Sequence, residues 1–416
     1  MTTAKGIAAM TSTQSPPRSH WTGTASPEEL ESWDAAAVTV AAALAPDVLQ
    51  RDRAGHDPVA ELRLLRDSGL STLLDPAELG GGGGHWESAL RAVRIIAGTD
   101  ASIAQILAYH YANVTAISFA SGSFDRSAWY RRSIQQRWIW GDSVNPTDPE
   151  LELSAVDGTY RLNGLKRFST GASSGDVILV SALVRGGVRD SAAISFVLDH
   201  DRAGISYLGD WDALGQRLSA SGSVRFTEVV VSEDDFLGSL GDEPFSTLLT
   251  PAVQLAFGNL YLGIAQGALR RGIEITRARA SGWFLSPAGR YREDPFVQRV
   301  VGELSSRVAA VEALADRTGR RFDEVVALGG DVTAEIRGRL AIEVAQLKVV
   351  ATEVGIDTAN RIFEITGSSS ARSDVGLDLF WRNIRTHSLH DPVDYKKLEV
   401  GDWELNGRLQ PISLYT

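Results

Sequence analysis

The chain has 416 residues, 44% hydrophobic and 22% charged, with a formal net charge of −11. That length holds two or three domains around a large core. The acidic balance argues against a nucleic-acid backbone as partner, because such binding needs a basic face. Cysteine is absent, which excludes disulfides, thiolate nucleophiles, cysteine-ligated zinc and iron–sulfur clusters.

Residues 1–25 are rich in Thr, Ser, Ala and Pro and lack the basic-then-apolar order of a signal peptide, so a disordered tail is expected there. No apolar run is read as approaching the roughly 20 residues that cross a bilayer, and a cytoplasmic protein with no membrane partner is expected. Residues 26–137 read as a helical domain. It opens at "SPEEL" with a Ser-x-x-Glu capping signal at Ser26 and Glu29. The segment "DPVAELRLLRDSGL" gives a second helix with Gly69 as its C-cap. Two more helices follow the glycine run Gly80 to Gly84. That run lacks the Gly-Lys-Ser/Thr of a phosphate loop and the preceding strand of a dinucleotide fold, so it reads as a flexible turn between helices.

The texture changes near Trp138. Over residues 138–236 the stretches "YRLNGLKRF", "DVILVSALV", "SAAISFVLD" and "SGSVRFTEVVV" are short, β-branched and bounded by Gly and Asp turns. They predict an antiparallel sheet or barrel. From residue 237 to 416 long amphipathic helices return, with the organisation of an antiparallel bundle. The fold class is therefore α+β, mostly α: an N-terminal helical domain, a central β-barrel and a C-terminal four-helix bundle.

Three stretches carry candidate chemistry. "FWRNIRTHSLHDPVDY" holds His387 and His390, two of only seven histidines. Three-residue spacing puts both imidazoles near one helical face. No third ligand stands at zinc spacing, so no metal is expected. What remains is capping of the last helical turn or a base that holds one proton near neutral pH. "KRFSTGASSGD" gathers Ser169, Thr170 and Ser173 around Gly171, and "WIWGDSVNP" sets Trp140 and Asp142 in a second polar turn. Two such turns suit a flat, polar-edged cofactor, and core packing accounts for the tryptophans almost as well.

Together with "DPAELGGGG", "RLSASGSVRFTEVVV", "YLGIAQGAL", "TRARASGWF" and "RIFEITGSSSA", these stretches resemble the acyl-CoA dehydrogenase fold over essentially all of residues 26–416. Dehydrogenases of that fold carry a catalytic glutamate where this chain has "NIRTHSLHDPVDY". The latter stretch, with "AYHYAN" and "DWDALG", resembles the flavin-dependent monooxygenase branch, most nearly its dibenzothiophene monooxygenases.

The resemblance implies a homotetrameric, two-component enzyme. A separate NAD(P)H:flavin reductase supplies reduced flavin, O2 adds to it as a C4a-hydroperoxide, and an apolar aromatic substrate receives one oxygen. That substrate is a thiophene-type ring for S-oxidation or an indole- or carbazole-type ring for hydroxylation. His390 is then the catalytic histidine, and His387 its neighbour lining the flavin. Thr170 stands in place of a serine near flavin N5, and Asp142 in place of an asparagine. Ser169, Trp211 and Ser221 face the flavin, while Tyr109, His110, Trp140, Phe168 and Phe257 line the substrate cavity. The stretch Gly367 to Ala371, with Ser369, replaces a turn that carries a phosphate-binding arginine. Arg279 falls where FAD-using members place one, which leaves FMN or FAD open and tilts the reading toward FAD. The rival readings are an acyl-CoA dehydrogenase, an amine or amino-sugar N-oxygenase served by Asp142, and a flavin-binding scaffold without turnover.

Overall fold

The computed structural model describes residues 19–121, 126–145, 151–190, 192–239, 241–280, 282–412 and 416. Of the expected tail, residues 1–18 lie outside the described residues. Residues 19–25 are not tail: the Trp21 ring is buried, stacks on Phe119 at 5.5 Å between centroids and sits 6.1 Å from Trp86. An indole that loses its water against two aromatic rings holds the chain it belongs to.

Helix α1 (Pro27–Leu44) starts where the capping signal placed it, with the Ser26 hydroxyl accepting the Glu29 N–H at 3.2 Å. The Glu29 carboxylate does not close the capping box. It accepts the backbone N–H of His85 at 2.9 Å and pairs with the His85 ring at 2.7 Å. Helices α2 (Val48–Ala54) and α3 (Val59–Asp67) follow, and Gly69 takes a positive φ of 80° past the end of α3. The glycine run is anything but loose. Gly82 donates to Thr72 O at 2.7 Å, Gly83 to Asp75 O at 2.9 Å and Gly84 to Leu73 O at 2.8 Å. A Cβ on Gly82 would sit 2.8 Å from the Leu73 backbone. The expected flexible turn is a close-packed one, because the glycines let the backbone fold back on itself.

Helices α4 (Trp86–Ala97), α5 (Ala101–Phe119) and α6 (Ser127–Gln136) complete the first helical stretch. The strands are β1 (Trp140–Ser143), β2 (Glu152–Val156), β3 (Thr159–Lys166), β4 (Val177–Arg185), β5 (Ala193–Asp199), β6 (Ile205–Tyr207), β7 (Val224–Val231) and β8 (Phe236–Gly238). They form one sheet in the order β6-β7-β3-β2-β4-β5-β8, with β1 also on β4. The sheet is mixed rather than antiparallel: β1 and β2 both run parallel to β4, Asp142 opposite Leu179. Among the described residues β6 and β8 are not paired with each other, so hydrogen bonding does not close the sheet into the expected barrel. "WIWGDSVNP", read as a polar turn, supplies strand β1.

The long helices α7 (Leu249–Ala278), α8 (Pro295–Val326) and α9 (Ala334–Thr366) pack on one another, with α10 (Asp378–His387) and α11 (Val393–Asn406) laid against α9. Two helical stretches, Pro27–Ala54 and Ser246–Ala278, are long and apolar enough by composition to cross a membrane, against the expectation of none. The second has 83% of its apolar window buried inside the protein, as a core helix does. One hydrophobic core runs through both helical stretches, from Leu62 and Ile103 to Leu260, Val325 and Leu347. The stretch "YLGIAQGAL" makes this continuity possible. Gly263 and Gly267, one turn apart on α7, lie against the end of α4: a methyl on Gly263 would overlap the Arg94 carbonyl oxygen, and one on Gly267 that of Gly98. Backbones approach this closely only where the facing residue on α7 carries no side chain. Gly263→Ala is therefore expected to destabilise the protein by about 1 to 3 kcal/mol through overpacking. Urea denaturation at constant m-value checks it.

Candidate active site

Helix α10 ends at His387 because the chain must turn there to reach Pro392 at the start of α11. This turn is seated from two sides. On one side Gly215 N–H donates to the Thr386 hydroxyl at 2.8 Å and Gln216 N–H to Asn383 Oδ1 at 2.7 Å, tying α10 to the loop between β6 and β7. On the other side lie α7 and α9. Tyr261 of α7 places its hydroxyl 2.9 Å from His387 Nδ1 and donates to the His387 carbonyl at 3.2 Å. Lys348 of α9, almost wholly buried, forms an ion pair with Asp391 and donates to Gln254 Oε1.

His387 and His390 come together as the spacing predicts, their rings 5.9 Å apart and nearly parallel at 12°. Phe257 stands edge-on to both, at 4.6 and 5.0 Å, and Tyr109 of α5 lies 6.2 and 6.4 Å from them. Burial and the neighbouring His390 and Lys348 push the His387 imidazole well below its ordinary value, so the ring is neutral. His390 keeps a partly exposed side chain with Nδ1 3.3 Å from Asp391 Oδ1. Burial would raise the Asp391 carboxyl, but the hydrogen bond with His390 and the Lys348 charge hold it well below the usual range.

The second half of the site is a set of buried hydroxyls. Thr170 Oγ1 lies 3.0 Å from Ser221 Oγ, which is 2.7 Å from Ser219 Oγ, and Gln105 Nε2 donates to Thr170 at 3.3 Å. Gln105 and Tyr109 are one turn apart on α5, so that helix joins the hydroxyl set to the histidine pair. Burial pushes the Tyr109 phenol well above its ordinary value; nearby Asp142 adds to this and the Thr170 hydroxyl opposes it. Asp142 on β1 is itself buried, and burial raises its carboxyl to about 7 against the opposing hydrogen bonds of Asn113 and the Thr170 backbone.

The other expected site residues divide. Phe168, at a strained φ of 58°, stands edge-on to Trp211 at 6.3 Å and is exposed. Ser169 pairs with Ser143 at 2.8 Å and borders a cleft of about 240 Å³ that Trp211 also lines. Arg279 and Ser369 gather at a different place, the C-terminal end of α9. There the Arg279 guanidinium donates to Thr366 O at 2.7 Å and covers the Tyr291 ring at 4.3 Å, and Ser369 is exposed two residues beyond Gly367.

Of the expected substrate-lining residues, His110 and Trp140 are fully buried. His110 has Nε2 2.7 Å from Ser71 O and Nδ1 accepting the Trp140 N–H at 3.1 Å. Both ring nitrogens serve the backbone, and burial lowers its pKa to about 4. The Trp140 indole donates to Ser133 Oγ at 2.9 Å. These two brace α5 against β1 and leave no polar atom for a ligand.

Sequence reasoning missed Gln105, Gln254, Tyr261 and Lys348. The only local signal was a lysine inside the apolar run "AQLKVV", because the partners of all four lie far along the chain.

The protein's own atoms permit a test of whether a flavin fits. Gln105 Oε1 and His387 Nε2 are buried and have no hydrogen-bond partner among the described residues. Unpaired buried polar atoms are costly and ask for a ligand or water. An acceptor beside the Thr170 and Ser221 hydroxyls, and an imidazole nitrogen among the Tyr109 and Phe257 rings, suit a flat heterocycle whose edge carries N–H and C=O groups. The pyrimidine edge of a flavin is such an edge, and these residues fit it.

The fold and this site define a flavoenzyme class of mainly helical proteins with a central sheet. The family model for the acyl-CoA dehydrogenase N-terminal domain matches residues 26–126, and that for the C-terminal domain residues 255–395. The probable FMNH2-dependent monooxygenase SfnC of Pseudomonas putida is 36% identical over 91% of this chain and 95% of its own. The structure of the dibenzothiophene monooxygenase TdsC of Paenibacillus sp. A11-2 with FMN and indole is 36% identical, with a TM-score of 0.87 over 92% of this chain and 98% of that one. The methanesulfinate monooxygenase MsuC of Pseudomonas fluorescens is 35% identical, with a TM-score of 0.88 over 94% and 100%. The chain belongs to the acyl-CoA dehydrogenase family, in its flavin-dependent monooxygenase branch. The tilt toward FAD finds no support here: FMN is the flavin in the TdsC complex, and Arg279 is held by the end of α9 and Tyr291.

The Asp142 shift carries a sign. A carboxyl raised in the folded state favours its protonated form, so folding is penalised progressively as pH rises from the unfolded value of 3.8 to about 7. Asp142→Asn is expected to raise Tm at pH 8, by a gain on the order of 1 to 4 kcal/mol, and to give no gain at pH 3.5. Calorimetric scans at the two pH values check it.

Proposed function

We propose that this protein is the oxygenase component of a two-component system. It takes reduced FMN from a separate NAD(P)H:flavin reductase and inserts one oxygen atom from O2 into an apolar heteroaromatic. The reaction is hydroxylation of an indole- or carbazole-type ring or S-oxidation of a thiophene-type ring. The observation that carries this reading is an aromatic-walled histidine pair, joined through helix α5 to a buried hydroxyl set, with the Gln105 Oε1 and His387 Nε2 atoms left unpaired among the described residues. It is supported by TdsC, whose complex holds FMN and indole. A thioester dehydrogenase needs a glutamate base, and histidines stand in the turn after α10 instead.

Bound reduced flavin supplies the electrons that activate O2. The rest falls to this chain's own residues. Thr170 and Ser221 hold the polar edge of the ring system, with Gln105 Oε1 and His387 Nε2 as further partners, and Ser169 and Trp211 lie at its border. Tyr109, Phe257 and Phe168 offer apolar faces to a flat substrate, each ring contact contributing about 0.5 to 1.5 kcal/mol beyond burial. Closely packed aromatics keep water from the reacting centre. His390 holds and moves the proton, and Asp142 is a second acid within reach of Tyr109 and Thr170. Arg279 and Ser369, which stand away from the hydroxyl set of their own chain, are assigned to the phosphate of a flavin held by a neighbouring subunit. We further read the chain as three working segments, residues 26–137, 138–236 and 237–416, with the central sheet curved as a barrel and the last segment acting as a four-helix bundle. We also read it as a homotetramer, which accounts for the exposure of Trp283, Phe284, Leu285 and Phe296.

With NADH, a flavin reductase and FMN in air, the protein is expected to convert indole or dibenzothiophene to a product carrying one atom from 18O2, read by mass spectrometry. His390→Ala is expected to lower product per flavin oxidised by at least about 100-fold with Tm unchanged. Product without label, or full coupling in that variant, would sink the reading.

A further inference from the structure

A lysine and an aspartate buried behind His390 need a reason. Lys348 is 1% exposed and Asp391 8%, and taking two charges out of water costs several kcal/mol per ion before their attraction is counted. Packing alone gives no cause to prefer them to a leucine and a methionine. Their geometry does. Asp391 Oδ1 receives Lys348 Nζ on one side and lies 3.3 Å from His390 Nδ1 on the other, while Asp391 Oδ2 accepts Gln254 Nε2 at 3.4 Å. Lys348 is fixed in turn by Gln254 Oε1 and by the Phe257 ring, 5.5 Å from the ammonium. Three elements, α7, α9 and the turn after α10, thus converge on one imidazole nitrogen.

We propose that Lys348 and Asp391 are positioning residues for His390: the ammonium fixes the carboxylate, and the carboxylate holds the imidazole with its proton on Nδ1, which leaves Nε2 as the working nitrogen. The inference rests on the reading of His390 as the residue that handles the proton. A carboxylate behind a histidine sets its tautomer and stabilises the charged ring. A cation behind that carboxylate offsets its charge and limits how tightly the ring keeps its proton. The two charges therefore tune His390 in opposite directions.

The surrounding groups leave this balance intact. His387 and Tyr109 face His390, and both are neutral. Tyr261 faces His387 with a phenol that burial also keeps neutral. From α11, Lys396 and Glu399 face Lys348 but pair with each other at 2.9 Å. Burial pulls Lys348 down to about 8 against the pull of Asp391, so at neutral pH the ammonium is still present.

The test is titration of His390 by nitrogen NMR in the full-length protein with 15N-histidine, its signal assigned by its loss in His390→Gln. In the native protein the neutral ring is expected to carry its proton on Nδ1. Asp391→Asn is expected to move the His390 midpoint down by about one pH unit, and Lys348→Met, one group further from the ring, to move it up by a smaller amount, with His387 remaining neutral. A midpoint unchanged in Asp391→Asn, shifts of the same sign in both variants, or a native Nε2–H tautomer each overturn the proposal. The double variant Lys348→Met/Asp391→Asn buries no unpaired charge and serves if a single variant unfolds. Its midpoint is expected below the native one, and no shift overturns the proposal. This readout needs no turnover. Absence of labelled product from native protein would count against the oxygenase function alone, and an unmoved His390 signal against the positioning alone.

Discussion

Everything at the site depends on the seating of α10. A ten-residue helix is too short to hold its shape by its own hydrogen bonds, so its position is set by what grips it. Its polar edge is held through Asn383 and Thr386 by the backbone of residues 215 and 216, and Arg382 pairs with Asp52 at 2.7 Å. Gly215 is needed for this contact, because a side chain there would run into the Arg382 carbonyl. The apolar edge carries Ile384 into the core shared by α7 and α9. A sheet loop, an N-terminal helix and two bundle helices therefore agree on where the histidine pair stands.

The polar interior follows a division of labour. Where hydrogen bonding is complete, as at His110 and Trp140, the residues brace one element against another. Where it is incomplete among the described residues, as at Gln105 Oε1 and His387 Nε2, the protein carries a local cost that a ligand or water would relieve. Buried charges behave likewise. Asp323 accepts the first N–H groups of α4, from Trp86 at 2.8 Å and Glu87 at 3.2 Å, and so caps that helix from α8. Lys348 and Asp391 cap nothing, and their carboxylate points at the one partly exposed imidazole of the site.

The same scaffold serves relatives named for dibenzothiophene and for methanesulfinate, so substrate choice lies in side chains and not in the fold. Two buried side chains here are Asp142, an acid near Tyr109, and Thr170, which carries a methyl beside its hydroxyl. The hydrogen bond from Asp142 N to Thr170 O at 3.1 Å ties β1 to the turn after β3 and sets both side chains beside the α5 helix.

Much of this was legible in the residues themselves. Helix periodicity marked the return of long helices after residue 237, and Ser26 and Gly69 marked their helix ends, because 3.6-residue spacing and caps are local properties. The histidine pair was visible for the same reason. The parallel pairing of β1 and β2 with β4, the folding back of the glycine run and the burial of Trp21 were not legible, since each depends on a partner supplied by a distant segment. So too with the site. The sequence by itself determined which residues carry hydroxyl, imidazole and aromatic groups, and on which elements. Only the tertiary structure decided that His110 and Trp140 are fully buried, that Gln105 stands beside Thr170 and Tyr261 beside His387, and that Lys348 pairs with an aspartate 43 residues further on. Those assignments turn on burial and on hydrogen bonds across the chain, and no spacing rule encodes them.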